Sequence, residues 1–438
     1  MAQGLVTLAL LLALGGCARV SNGKAESGPL VAAPYNSGFA EAHDSFNAIS
    51  AASDGRIYYV LSSDSLEVGA QMYSFDPATK KIEHLGDLTE ICGEKGSKAI
   101  PQGKSHVRFL ESAGKLYFAT HLGYYTIKDG METVGVPPPG YKPYPGGHLL
   151  AYDMRSKRFE NLAKSPDGEG IITLSMDAAR QRVYFLTWPS GRFYRYDLRT
   201  RKMKGFGSQS DQGEAGKGQH YQTICRSIAV DPRDGSAYFT NARGTIFRYQ
   251  YSSEEVRAVK GDNLVKDYFG RYDPTAPGTM GYNWRQTAWD EHDHCVYGVH
   301  GTSGYLFRFD PVGERVDVLK RLTSEPSRRS GMFDQFAYGY LGFALGPGGH
   351  TLYYLTGGRT GKKGQEDLRL VTYDLATSAY RDNGAVRFAN GDRVTAVQSI
   401  AIGKDGTVYA LARLAPSGPS RTDLIAFNGP LKIGVTTW

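Results

Sequence analysis

The stretch Ser112–Thr120 reads SAGKLYFAT and sets the pattern of the chain: a turn of small residues, then a β-prone strand centred on Tyr117. Glycine suits the turn, and the aromatic and apolar residues that follow favour a strand. Similar units recur with their tyrosines at Tyr58, Tyr117, Tyr184, Tyr238, Tyr297, Tyr353 and Tyr409. The intervals are 59, 67, 54, 59, 56 and 56 residues, which is the spacing of a repeat architecture.

A second landmark, an aromatic residue followed by Asp or a similar residue, comes later in each unit. These pairs are Phe75-Asp76, Tyr152-Asp153, Tyr196-Asp197, Tyr249-Gln250, Phe309-Asp310, Tyr373-Asp374 and Phe427-Asn428. Seven units with room for four short strands each predict an all-β fold, a seven-bladed β-propeller with four-stranded antiparallel blades. Stacked sandwiches lack this period, and a parallel β-helix repeats at a shorter one. We expect most of the repeat tyrosines to pack between blades.

The composition agrees with a folded β-protein and says little about partners. The 438 residues include 54 Gly and 29 Tyr, 41% are hydrophobic, and the net charge is +7. No recognised nucleic-acid-binding module is present, nor a phosphate-binding glycine loop before a helix. A nucleophile elbow is also missing. Nucleic acid is therefore not an expected partner.

The N-terminus predicts export. Leu5–Leu14 is almost purely apolar, and Leu14-Gly15-Gly16-Cys17 resembles a bacterial lipobox. We expect a lipoprotein signal peptide over residues 1–17, lipidation of Cys17, a flexible tether over 18–36 and a single propeller domain over 37–438. The start lacks Lys and Arg, so an ordinary signal peptide with an incidental cysteine stays an alternative. The prediction is a monomeric outer-membrane or cell-surface lipoprotein, or otherwise a periplasmic or secreted protein.

Cysteines beyond the signal segment are few. Cys92, Cys225 and Cys295 allow at most one disulfide, and their wide spacing matches no zinc ribbon. Two segments are candidates for the strand that closes the propeller, Pro29–Ala33 and Leu431–Val435.

Because strands alternate in direction within a blade, the repeat assigns loops to one mouth of the central channel or the other. Three kinds of position share one mouth. Those before the first strand are Asn47, His106, Thr173, Arg226, Arg285, Tyr340 and Gln398. Those after the second strand are His121, Trp188, Asn241 and His300. Those that begin the third strand are Gln71, His148, Arg192, Tyr305 and Arg369.

Four of the ten histidines fall in this basic mouth, which suits an anionic sugar chain, since Arg and His pair with carboxylates. The sequence His292-Asp293-His294 has the look of a metal motif, but the repeat places it in a turn at the opposite face. We expect a solvated turn there, no metal site and no required cofactor.

Cleavage of a uronic-acid glycoside by β-elimination needs a cation at the carboxylate, a base for the C5 proton and an acid for the leaving oxygen. Hydrolysis needs two carboxylates instead. The predicted mouth contains no Asp or Glu pair, so the pattern favours a polysaccharide lyase over a hydrolase, with an acidic polysaccharide as partner.

The segment Ser105–Asp197 resembles the ulvan-lyase-like group of seven-bladed propeller polysaccharide lyases. The matching pieces are Lys104-Ser105-His106, YFATHLGY at 117–124, Pro145-Gly146-Gly147-His148, Gly168-Glu169-Gly170-Ile171 and LTWPSG at 186–191. The resemblance implies that His121 and His148 form a catalytic pair, that Arg226 neutralises the substrate carboxylate and that His300 is a later catalytic histidine. Oligogalacturonate lyases, which use a metal bound by clustered histidines, are the weaker relative.

Substrate binding is assigned to five further residues of the mouth: His106, Trp188, Arg192, Arg285 and Tyr305. Arg192 occupies the slot where the family has a catalytic tyrosine. Three alternatives follow: Tyr194, Tyr221 or Tyr305 reaches the centre, or histidine performs both proton transfers, or the protein binds without cleaving. A non-catalytic glycan-binding lipoprotein and an envelope scaffold are therefore the other functions considered.

Overall fold

The computed structural model describes residues 29–273, 280–300, 303–329, 342–358, 367–414 and 421–430. Strands dominate this part of the chain. The two α-helices are short, α1 (Leu88–Ile91) and α2 (Glu325–Arg329). None of the helices found in these ranges is long and apolar enough to cross a membrane.

The first strand in the chain is β1 (Leu30–Tyr35). It is followed by five four-stranded antiparallel sheets. The first sheet contains β2 (Ile49–Ala51), β3 (Ile57–Leu61), β4 (Gln71–Asp76) and β5 (Lys81–Asp87). The second contains β6 (Leu110–Ser112), β7 (Lys115–Ala119), β10 (His148–Asp153) and β11 (Arg158–Lys164), with a hairpin inserted between its middle strands, β8 (Tyr125–Lys128) and β9 (Met131–Val134).

The next three sheets have the same simple order. The third contains β12 (Gly170–Asp177), β13 (Arg182–Trp188), β14 (Arg192–Asp197) and β15 (Lys202–Ser208). The fourth contains β16 (Ala229–Val230), β17 (Ala237–Thr240), β18 (Ile246–Gln250) and β19 (Glu255–Ala258). The fifth contains β20 (Thr287–Asp290), β21 (Cys295–Val299), β22 (Tyr305–Asp310) and β23 (Arg315–Arg321).

The remaining strands join in one eight-stranded sheet made of two four-stranded groups. The first group is β24 (Phe343–Leu345), β25 (Thr351–Gly358), β26 (Asp367–Asp374) and β27 (Tyr380–Phe388). The second is β28 (Thr395–Ile402), β29 (Val408–Arg413), β30 (Thr422–Phe427) and the N-terminal β1. First strands of neighbouring groups pack against one another, as β12 does on β16 and β24 on β28. The all-β propeller class is confirmed, and the count of seven blades rests on the tyrosine repeat.

Strand β1 closes the ring. Ala33, Pro34 and Tyr35 pair antiparallel with β30, and residues 30–32 pair parallel with β27. Of the two closure candidates, the N-terminal one therefore forms the outer strand, while residues 431–435 lie outside the described residues. Residues 30–35, which were predicted to be part of the tether over 18–36, therefore belong to the folded domain, because their backbone groups are used in the sheet.

The repeat tyrosines have a packing role. Each lies on the second strand of its group, and all but the partly exposed Tyr117 are buried. Four of them contact the second-landmark aromatic of the following unit, which explains why both landmarks recur together. The ring pairs are Tyr58–Tyr152 at 5.9 Å, Tyr184–Tyr249 at 5.2 Å, Tyr238–Phe309 at 5.4 Å and Tyr409–Phe75 at 6.1 Å.

Candidate functional site at one mouth of the channel

The first-strand positions that the repeat assigned to the channel do line a common space. A cavity of about 190 Å³ is bounded by Asn47, His106, Thr173 and Arg226, together with residues of the inner strands. Of the other positions in that set, Tyr340 and the side chain of Gln398 lie outside the described residues. Four of the seven first-strand positions therefore lie at this cavity, while Arg285 is not among its lining residues.

The channel is crossed by a polar link. Arg108 Nη2 donates to Gln286 Oε1 at 2.8 Å and also to the carbonyl of Phe343, while the Gln286 amide reaches Asn47 Oδ1. These residues belong to or adjoin four different blades. Burial lowers the pKa of Arg108 to about 10, so it stays charged at neutral pH. The link fixes the inner strands relative to one another and narrows the channel.

Beside the cavity, aromatic and cationic side chains form what we call the mouth cluster: Lys104, His106, His121, Tyr125, Trp188 and Arg226. The rings of His106 and His121 lie edge to face with centroids 4.6 Å apart, and Phe46 stacks on His106 at 5.4 Å. Trp188 lies 5.4 Å from His121 and 5.6 Å from Tyr125. The structure therefore brings together four of the residues predicted from the sequence, His106, His121, Trp188 and Arg226.

Close backbone approaches hold His121 in place. It follows β7, and its backbone exchanges two hydrogen bonds with that of Lys104, at 2.8 and 2.7 Å. A Cβ on Gly123 would collide with the carbonyl oxygen of Ser63, and one on Gly170 would lie 2.6 Å from the imidazole of His121. Glycine is needed at both positions because backbone or ring occupies the side-chain space.

One hydrogen bond decides the tautomer of His121. Nδ1 lies 2.9 Å from the carbonyl oxygen of Leu122, which can only accept, so Nδ1 carries the proton and Nε2 has a free lone pair. Both His121 Nε2 and His106 Nε2 are buried and bond to none of the described residues. Such unpaired buried nitrogens are costly, and a functional role is one reason for their persistence.

The electrostatics keep this histidine pair neutral. Burial, assisted by the positive charges of Lys104 and Arg226, lowers the pKa of His121 to about 3. Burial also lowers the pKa of His106 well below its ordinary value, with His121 and the neighbouring cations adding to the effect. Arg285 is one of those cations, and its side chain also contacts Met280. The pair is therefore uncharged at physiological pH.

Glu214 connects the mouth cluster to the surface. One carboxylate oxygen accepts from Arg226 Nη2 at 2.7 Å and from the backbone of Ile224 at 2.9 Å, and the other accepts from Trp188 Nε1 at 2.7 Å. The same residue lines a groove of about 630 Å³ between the β8–β9 hairpin and the loop around Gly213–Gly218. This volume lies in the range of small-molecule and cofactor sites.

His148 is placed in a different network. Its Nε2 lies 2.9 Å from Glu94 Oε1 and its Nδ1 lies 3.0 Å from Asn161 Oδ1. Both ring nitrogens are thus used, and the side chain is buried. The described contacts join the imidazole of His121 to that of His106, and none of them joins it to that of His148.

His300 is likewise committed to internal bonds. Its Nδ1 lies 2.9 Å from Ser303 Oγ, and its Nε2 donates to the carbonyl oxygen of Gly281 at 3.1 Å. Its ring stacks on that of Phe269 with the centroids 4.5 Å apart. Burial lowers its pKa to about 4. These contacts indicate a structural role, in which His300 connects its own loop to the segment that contains Gly281.

Two residues that were predicted to bind substrate make no described contact with the mouth cluster. Arg192 is half-exposed and pairs with Asp167. Tyr305 lies 5.1 Å from Tyr268, and the guanidinium of Arg321 stands 4.7 Å above its ring. Cys17 lies outside the described residues, and the three described cysteines are free and buried.

The position of His292 and His294 agrees with the repeat. They lie in the turn between β20 and β21, at the opposite face from the mouth cluster. Across the described ranges, no three His, Cys, Asp or Glu side chains are grouped so that they could hold a metal ion.

Three members of the site were missed by sequence reasoning: Lys104, Tyr125 and Glu214. Lys104 stands two residues before a position that the repeat did select, and Lys104-Ser105-His106 was noticed only as part of the family resemblance. Tyr125 and Glu214 lie in an inserted hairpin and an inter-blade loop, which have no register in the repeat. The glycines on either side of Glu214 and Ala215, Gly213 and Gly216, were the sequence feature that indicated a tight loop there.

Comparison with known proteins supports the fold alone. No family model matches the chain, and no curated protein matches it. Among solved structures, the extracellular domain of BT4673 from B. thetaiotaomicron, described as a one component system, is similar with a TM-score of 0.50 and 14% identity over 90% of this chain. The chain spans only 39% of that protein. A chain in the mitotic checkpoint complex is similar with a TM-score of 0.52 and 10% identity, over 97% of this chain and 99% of that one.

Proposed function

We propose that the protein is an exported polysaccharide lyase that cleaves a uronate-containing polysaccharide by β-elimination at the mouth cluster. The observation that carries this proposal is the Nε2 of the neutral His121, which bonds to none of the described residues and lies beside two cationic side chains, Lys104 and Arg226. A base next to positive charge is what removal of a proton α to a carboxylate requires.

In the proposed reaction, the substrate carboxylate faces the cations of the mouth cluster and His121 Nε2 removes the C5 proton. The electron pair forms the C4–C5 double bond as the C4–O bond breaks. The proton on Nε2 then passes to the departing oxygen, so one histidine is base and then acid. Burial lowers the pKa of His121 and the bound carboxylate opposes this effect, so the imidazolium that forms readily gives its proton to the departing oxygen.

The carboxylates argue against hydrolysis. A glycosidase places two carboxyl groups across the scissile bond. Within the described mouth, Glu214 is the carboxylate in contact with the cluster, and both its oxygens accept hydrogen bonds from Arg226, Ile224 and Trp188. The groove beyond Glu214 is lined by Lys128, Lys217 and Tyr221, together with Asp129 and several apolar side chains, and gives further units of an acidic chain a place to lie.

The resemblance to ulvan-lyase-like propellers and the predicted signal segment support an exported protein, held to the outer membrane or cell surface through Cys17. The similar domain of BT4673 is described as extracellular, which is consistent with this location. The hydroxyl of Tyr125 lies 3.3 Å from His121 Nδ1, so Tyr125 joins Tyr194, Tyr221 and Tyr305 as a candidate for the catalytic hydroxyl.

The experiment is incubation with a broad panel of uronate-containing polysaccharides while the absorbance of the unsaturated product is followed. Product from at least one of them is expected. Measurable binding without product across the panel would contradict the lyase.

The second candidate function is a glycan-binding propeller without catalysis. It is favoured by Arg192, which stands where the family has its tyrosine, and by the deep burial of His121. In that case, replacement of mouth residues changes affinity only.

A further inference from the structure

We infer that Lys104 is the residue that binds the substrate carboxylate, so that the site selects acidic over neutral sugars through this one ammonium group. The inference rests on the proposed function and assigns to Lys104 the role that the family resemblance gave to Arg226.

The position of Lys104 fits this role. Its backbone pairs with that of His121, so the amine and the proposed base belong to neighbouring backbone segments. The ammonium nitrogen stands 4.6 Å from the ring centre of Tyr125 and 5.5 Å from that of Phe46. Rings hold a cation in place without neutralising it, which leaves its charge available to an anion.

The charges of Lys104 and Arg226 differ in how they are balanced. Arg226 already bonds to the carboxylate of Glu214 at 2.7 Å. Lys104 is 4% exposed, yet within the described ranges no Asp or Glu forms an ion pair with it; Asp44, Asp64 and Glu132 act on it only at longer range. A buried cation without an adjacent anion is expensive, and an arriving carboxylate removes that cost.

The surroundings make the binding sensitive to the ligand's charge. Burial lowers the pKa of Lys104, and the three carboxylates just named partly oppose this effect. The other titratable groups facing it are His106, His121 and Tyr125. A carboxylate beside the amine raises its pKa, whereas a neutral sugar does not.

The test uses D-glucuronate and its neutral counterpart D-glucose as probes, with dissociation constants measured by calorimetry on the full chain. Wild type is expected to prefer glucuronate. Lys104→Met should lose at least tenfold in glucuronate affinity and leave glucose binding unchanged. Lys157→Met, at an exposed lysine paired with Glu83, is the matched control and should keep the preference.

A second measurement avoids any folding defect of the variant. Lysines of the wild-type protein are methylated with ¹³C, and the Lys104 resonance is titrated with pH. Glucuronate, but not glucose, should raise the pKa of this amine. An unchanged pKa, or a folded Lys104→Met variant that keeps the preference, overturns the inference and leaves the proposed function standing. Failure of wild type to bind any uronate, on the monosaccharide or the polysaccharide panel, overturns both.

Discussion

His106 and His121, brought from the loops on either side of two neighbouring strands, meet edge to face with their ring centres 4.6 Å apart, and each keeps a buried Nε2 without a described partner. The contact places one ring at the channel cavity and the other beside Trp188. Two buried imidazoles, each with an unpaired nitrogen, do not stabilise the fold, since burial of a polar atom without a hydrogen bond costs free energy. Their arrangement is better explained by proton transfer.

The Glu214–Arg226 pair should be essential to the architecture of the site. Both side chains are nearly buried, and breaking such a pair by removing one partner costs about 3–5 kcal/mol. Glu214→Leu is expected to lower the free energy of unfolding by that order, while adding Arg226→Met should restore part of it. Urea unfolding of the single and double variants measures this.

Its control is the exposed pair of Arg201 and Glu160, where Glu160→Gln should cost less than about 1 kcal/mol. Strict additivity of the two substitutions at Glu214 and Arg226 would contradict the coupling.

Gly170 should be required because its side-chain space is taken by His121. Gly170→Ala places a methyl carbon 2.6 Å from the ring, and overpacking of this kind typically costs about 1–3 kcal/mol. We expect a lower melting temperature and reduced turnover from a displaced imidazole. In a His121→Ala background the same substitution should be nearly neutral for stability; an equal cost in both backgrounds would show that the ring is not the obstacle.

Stability should fall as the pH drops from 6.5 toward 4, partly through His300. Its pKa is about 4 in the folded protein, against about 6.5 for an unperturbed histidine. The unfolded state therefore binds the proton first, and the contribution, present in full above pH 6.5, is lost as the pH falls. For a shift of this size the loss is roughly 3 kcal/mol.

Urea unfolding at several pH values tests this statement. His300→Gln should be less stable at pH 7 because its loop contacts are lost, but its stability should depend less on pH over this range. If the stability of His300→Gln depends on pH as that of wild type does, the loss of stability at low pH comes from other titratable groups and not from His300.

The closing strand should be indispensable. A chain that starts at Pro29 keeps β1 and should melt like the full chain, whereas one that starts at Ser37 lacks the strand that pairs with β30 and should melt well below it. The exposed edge left behind also favours association between chains. Thermal unfolding and light scattering of the two truncations compare them directly, and equal melting temperatures would exclude closure by β1.

Much of the fold follows from the sequence because one packing contact is repeated. The tyrosine of one unit packs on the aromatic of the next, as Tyr58 does on Tyr152, and this recurrence records both strand order and face. It also located His106 and Arg226 at the channel, since first strands always face the centre of a propeller.

The roles of the individual site residues depend on hydrogen-bond partners in loops that have no fixed position in the repeat. His148 and His300 were placed in the mouth by the same rule, but whether a ring nitrogen is free depends on Glu94 and Gly281, which lie in irregular loops. For the same reason Glu214 could not be foreseen. Sequence periodicity specifies which face a residue occupies, while hydrogen bonds from loops decide what it does there.

The most direct measurement of the central claim is the turnover of His121→Gln on the uronate polysaccharide that gives wild type its largest signal. Loss of a general base is expected to lower kcat by about 10²- to 10⁴-fold, with substrate affinity within a few-fold of wild type. The matched control His350→Gln, at an exposed turn of the opposite face, should retain full activity. A His121→Gln variant that forms unsaturated product at the wild-type rate would contradict the account.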